Sequence, residues 1–274
     1  MQLPFPPEHP ATIAKTQVAL PSGSFIRALP FTVEETQRFR VDAMVLCAEI
    51  MASAYIQMIE LALRSKWEQA LSETTRSGHL DIGMFQHAWS MVDQIYSLRL
   101  LLRSLAFTGD DVAAFMVATE PAYVLRNRMD HLDARIPNIV ASRDNSRSLF
   151  GSLSYFVIGA VVGEPNVDVF AVTQHAEPIR PSESIAAFRI PAEIRGPIGN
   201  FVLNAAGQEL DLDRAVLTLG PVMVRTNEGF EKSIRVQSAE KAAEHGVAES
   251  DLLAHHGAGL KLMIALNARE PDAS

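Results

Sequence analysis

The chain has 274 residues, 48% of them hydrophobic, which is enough apolar material for one large core or two modest ones and excludes a disordered protein except at the ends. Acidic residues outnumber basic ones by 32 to 24, and the net charge of −8 argues against a protein that holds nucleic acid mainly through its overall field. The single cysteine, Cys47, excludes a disulfide framework and a thiolate metal cluster; set in an apolar helical pattern, it reads as a buried structural thiol of a reducing compartment.

The first residues, MQLPFPPEHPATIAKTQVALP, show no basic leader ahead of an apolar core, so no secretory signal and a cytoplasmic location are expected. Six of the 15 prolines fall in residues 1–30, where no helical period survives, and an extended arm lying on the surface or on a partner is expected there. Thr32-Val-Glu-Glu35 is a capping box that opens a helix, since the threonine hydroxyl and the Glu35 side chain can each take the other's backbone N–H. No Gly or Pro interrupts from there to Ser77. Val41, Val45, Ala48, Ala52, Tyr55, Ile59 and Ala62 step by fours and threes, with Met44, Met51, Met58 and Leu61 widening the apolar face. At 1.5 Å per residue a continuous helix from Glu34 to Leu71 is ~57 Å long.

After the break SETTRSGHLDIG, the same stripe returns in Met84, Ala88, Met91, Ile95, Leu98, Leu102 and Leu105, so two long antiparallel helices are expected. Thr108-Gly-Asp-Asp111 can cap a third, shorter helix carrying Val112, Phe115 and Met116. Pro121 suits the first turn of a fourth, with Leu125, Met129, Leu132 and Ile136 on its apolar face and Pro137 ending it.

Beyond the polar loop ASRDNSRS the runs LSYFVIGAVV, VDVFAVTQ, SIAAFRI and NFVLNAAGQEL are short, β-branched or aromatic, and separated by Gly, Pro and Asn, as in a small antiparallel sheet. LSYFVIGAVVG is far short of the roughly 20 residues that span a bilayer, and no membrane anchor is expected. DLDRAVLTLGPVMVRT at 211–226 fits either a capped helix stopped by Gly220-Pro221 or a hairpin arm. The expected architecture is α+β: an arm over 1–30, a helical bundle over 31–140, a β-rich region over 141–237 and a helical tail over 238–274.

No phosphate-cradling Gly-rich loop, no G-x-S-x-G elbow and no H-E-x-x-H helix occurs, which removes P-loop nucleotide hydrolysis, serine hydrolysis and zinc proteolysis. His245, His255 and His256 lie near Glu244 and Asp251, but imidazoles beside a glycine at a helix end suit the C-terminal dipole, so no metal is expected.

The stretch YVLRNRMDHLDARIP, residues 123–137, carries the remaining chemistry. Two long helices followed by a late helix with Arg126, then the polar Asn127, then His131 after a spacer of four resemble the HEPN superfamily of α-helical proteins, whose RNA-cutting members share an Arg-x4–6-His motif. The resemblance covers about residues 32–137 and has no counterpart for the β-rich part. It implies a metal-independent, cofactor-free ribonuclease of toxin or defence type, a homodimer with RNA as substrate and an antitoxin-like protein as partner. In that role His131 takes the proton of a ribose 2′-OH, Arg126 stabilises the phosphate charge, and Asn127 orients the imidazole or a phosphate oxygen. At 100° per residue Arg126 and His131 stand about 140° apart around one helix, so a joint site needs a second protomer. The other reading is a non-catalytic helical dimerisation or interaction module, in which Arg126 and Asp130, four residues apart, form an ordinary ion pair on the helix surface.

Overall fold

In the computed structural model, the described residues are 5–27, 29, 33–71, 82–131, 133, 150–160, 167–175 and 196–248. They form a mixed helical and sheet protein: α1 (Pro10–Ile13), a π turn (Ala14–Val18), a 3-10 turn (Phe25–Arg27), α2 (Glu35–Leu71), α3 (Ile82–Ser104), α4 (Asp110–Ala118), α5 (Glu120–Asp130), β1 (Ser152–Ala160), β2 (Val167–His175), β3 (Ile198–Ala205), β4 (Gln208–Asp211) and α6 (Leu212–His245).

The two long helices follow their apolar stripes. Val41, Met44, Ala48, Met51, Tyr55, Met58 and Ile59 on α2 are buried, as are Met84, Ala88, Met91, Ile95, Leu98 and Leu102 on α3. They run antiparallel, because Arg40 near the start of α2 donates to the Ser104 carbonyl at the end of α3 (3.3 Å). The N-terminus of α2 is closed by Glu34, whose carboxylate accepts the backbone N–H groups of Thr36 (2.9 Å) and Gln37 (2.8 Å) and so satisfies two donors that have no partner within the helix. Thr32, the expected cap, lies outside the described residues, as does the connection between α2 and α3. The α2 segment Glu35–Arg64 is long and apolar enough to cross a membrane by length and composition, but 56% of its most apolar window is buried within the fold.

Three expectations are corrected. Among residues 1–30, those described do not make an extended arm: Ala11, Ala14, Val18, Leu20 and Ile26 are buried, and α1 opens with Pro10 in its first turn, where a missing N–H costs nothing. The prolines there punctuate short turns packed on the body. The cap of α4 is Gly109, at φ 131°, with no side-chain bond from Thr108. Of the two readings of 211–226 the capped helix is the one that forms, from Leu212, but it is a 34-residue helix that starts inside the region assigned to the sheet and passes through Gly220-Pro221 without stopping. Asp211 caps it by accepting the Arg214 N–H (2.8 Å). A Cβ at Gly220 would stand 2.6 Å from Ile13 Cγ2, so the glycine is what lets the N-terminal turns lie against α6, and that packing holds the proline in the helix.

The sheet is antiparallel throughout, in the order β2-β1-β3-β4. Ala206 (φ 50°) and Gly207 (φ 74°) make the tight two-residue turn between β3 and β4. The register of β1 against β3 slips between Ser154 and Phe156, where Asn200 and Phe201 together oppose Tyr155, and Asn200 takes the left-handed conformation (φ 57°) that asparagine tolerates at a bulge. Tyr155 and Phe201 stack, and Tyr55 of α2 meets Phe201 edge-on, so the sheet and the bundle share one apolar core. The run SIAAFRI, expected as a strand, lies outside the described residues.

Candidate functional site

Arg126 and Asn127 sit on the last turns of α5, but His131 does not continue that helix. α5 ends at Asp130, and His131 is its cap at φ −117°, ψ 34°, well before Pro137, which lies outside the described residues. Asn127 and His131 are exposed, and the Arg126 side chain is a third exposed.

The Arg126 guanidinium is already engaged. Its Nε lies 2.8 Å from Asp93 Oδ1 on α3, and Nη1 pairs with Asp130 one turn along α5. Burial raises the Asp93 carboxyl, the Arg126 charge pulls it back and Asp130 pushes it up again, so the two carboxylates compete for one cation. A phosphate reaching Arg126 would have to displace both. Stacking of Tyr96 on Tyr123 (5.6 Å between centroids) ties the same two helices about one turn further along.

A second arginine, not singled out by motif, is the more deeply built. Arg99 falls in the buried stripe of α3 between Ile95 and Leu102 and is only 1% exposed. It donates to the Met116 carbonyl, to Thr119 Oγ1 (2.9 Å) and to the Glu120 carboxylate, pinning the joint between α4 and α5. Desolvation lowers its pKa and Glu120 raises it again. A lone arginine inside an apolar helical stripe was the available signal.

The described residues enclose a cleft of about 390 Å³ between the N-terminal turns, β3 and the start of α6, lined among others by His9, Phe156, Asn200, Asp211, Asp213 and Arg214. His9 Nδ1 accepts the Ala11 N–H (3.0 Å), its Nε2 donates to the Ile198 carbonyl (2.9 Å), and Phe5 stacks on the ring at 4.1 Å. Burial pushes the imidazole below its usual pKa, so it is the neutral Nε2-H tautomer with both nitrogens committed. Asp213 accepts the N–H groups of Asn200 (2.7 Å) and Phe201 (3.0 Å), the two residues of the bulge. Burial and the nearby Asp211 push its carboxyl up to about 7, and burial likewise raises Asp211. The expected pair and this cleft are separate places: neither Arg126 nor His131 lines it.

A shallower groove of about 420 Å³, lined by Phe107, Thr108, Arg225 and Phe230, runs between the α3–α4 turn and α6, and Arg225 there is paired with Asp111 at 2.9 Å. Cys47, expected buried, is half-buried, and desolvation raises its thiol. Among the described residues no group of three or more His, Cys, Asp or Glu side chains converges as metal ligands; His245 is exposed at the end of α6, and His255 and His256 lie outside the described residues. No family model, curated protein or solved structure matches this chain.

Proposed function

We propose that this protein is a non-catalytic, cytoplasmic helical interaction module that pairs with a second copy of itself through the outer face of α2. The observation that carries the reading is an apolar row on that face: Phe39 (59% exposed), Leu46 (58%) and Ile50 (37%), with the half-buried Ala43 between them. Their spacing of four, three and four is the heptad seam by which one helix packs on another. The polar residues Ser53, Gln57 and Glu60 follow on the same side, which limits the seam to the N-terminal half of the helix. Light scattering over a range of protein concentration tests this directly. A dimer is expected for the natural chain and a folded monomer for Leu46→Glu; a natural chain that stays monomeric at high concentration overturns the reading.

A second reading keeps the HEPN-like bundle and RNA cleavage. It is supported by the exposure of Asn127 and His131 beside Arg126 at one end of α5. It requires Asp93 and Asp130 to release Arg126 and a partner to complete the site, so it falls with the dimer. Labelled RNA incubated in chelator with the natural chain, His131→Ala and Arg126→Ala tests it. Loss of cleavage in both folded variants supports it, and equal cleavage in all three assigns the activity to a contaminant.

A further inference from the structure

We propose that Asp213 is a proton-operated latch between the sheet and the helices: its carboxyl gains and loses a proton at the seam and thereby changes how firmly the bulge in β3 is held. The geometry supplies the elements of a two-state device. Both carboxyl oxygens already serve the bulge, one accepting from Asn200 N–H and the other from Phe201 N–H. Behind them the Tyr55 hydroxyl of α2 is fully buried, has no hydrogen bond of normal geometry, and faces Asp213. A Cβ at Gly199 would stand 3.1 Å from the carboxyl, so the strand itself closes one side.

The charged neighbours do not neutralise it. From the end of β4, Asp211 adds a second negative charge, and Glu209 acts on Asp211 in the same sense. From the N-terminal turns, His9 is neutral and bonded to backbone on both nitrogens. Arg214, the nearest cation on α6, is exposed and acts on Asp211. Among the described residues no ion pair to Asp213 forms.

Each state therefore has its own hydrogen bonding. The ionised carboxylate accepts the two amides and attracts the Tyr55 hydroxyl that faces it, and charge strengthens these contacts, but it is a partly enclosed anion beside another anion. The protonated acid removes that repulsion, turns one oxygen into a donor toward Tyr55, and weakens its grip on one bulge amide. The opposing contributions bring the carboxyl to about 7, where a small change in pH moves the population.

The test follows the amide protons of Asn200 and Phe201 by NMR through a pH titration of the full chain. Both signals are expected to move together with a midpoint near neutral pH. Asp211→Asn is expected to shift that midpoint to lower pH by removing the neighbouring charge, and Tyr55→Phe to higher pH by removing a donor to the ionised form. Asp213→Asn is expected to abolish it. The ratio of unfolding constants between the natural chain and Asp213→Asn should change by up to tenfold per pH unit between the unfolded carboxyl's 3.8 and about 7, and level off above that. If Asp213→Asn does not fold, the opposite shifts of the other two variants carry the test. A midpoint near 4, or one unmoved by either Asp211→Asn or Tyr55→Phe, overturns the proposal.

Discussion

The Nε of Arg126 lies 2.8 Å from Asp93 Oδ1, and this contact ties the last helix of the bundle to α3 at the place where the Arg/His motif stands. The same guanidinium also reaches Asp130, so one cation bridges two helices and two carboxylates.

A double-mutant cycle on Arg126→Ala and Asp93→Asn measures this contact. Because the Asp93 side chain is about half exposed, solvent screens the pair, and a coupling of about 0.2–1 kcal/mol is expected from urea unfolding. Zero coupling would mean that the Asp93 contact does not tie α5 to α3 in solution, with Arg126 left to Asp130 alone.

Arg99 carries a larger penalty. Its replacement by Leu removes the donor to the partly buried Met116 carbonyl and to the buried Thr119 hydroxyl and with it the clamp on the α4–α5 joint, so a loss of about 2–4 kcal/mol is expected. Arg99→Lys should recover only part of that, because a point charge cannot span the three acceptors that the guanidinium fork reaches. Equal stability of Arg99→Leu and the natural chain, by urea denaturation, would refute the assignment.

His9 gives a pH dependence whose sign is fixed by its lowered pKa. The unfolded imidazole takes a proton near 6.5, whereas the folded one resists until lower pH, so the contribution of His9 is present above about 6.5 and is lost as pH falls through the folded value. Protonation removes the lone pair that holds the Ala11 N–H. The stability difference between the natural chain and His9→Asn should therefore shrink between pH 7.5 and pH 5. Asp213, raised instead of lowered, acts in the opposite sense, with its contribution lost as pH rises toward 7, so the comparison is between the two proteins at each pH and not along either curve alone. A difference that grows on acidification would contradict the His9 assignment.

Much of the frame was legible because periodic burial leaves a periodic sequence. The stripes Val41–Ala62 and Met84–Leu102 and the β-branched runs of β1 and β2 appear where the pattern placed them, whereas NFVLNAAGQEL, read as one run of the sheet, folds as the two strands β3 and β4. Gly220-Pro221 misled, since a proline ends a helix in isolation but is tolerated where close packing against Ile13 and Gln17 compensates. The N-terminal prolines misled in the same way: without a period to read, the burial of Ala11, Ala14 and Val18 was invisible.

The sequence by itself determined the mixed helical and sheet class, the two long helices and their core-facing residues, because burial of one face requires apolar side chains at a fixed angular interval. Only the tertiary structure decided what surrounds each polar group. Asp93 comes to Arg126 from 33 positions away, Tyr55 comes to Asp213 from 158, and His9 reaches Ile198 across 189. The charge and hydrogen bonding of a side chain depend on such distant neighbours, and local spacing carries no record of them.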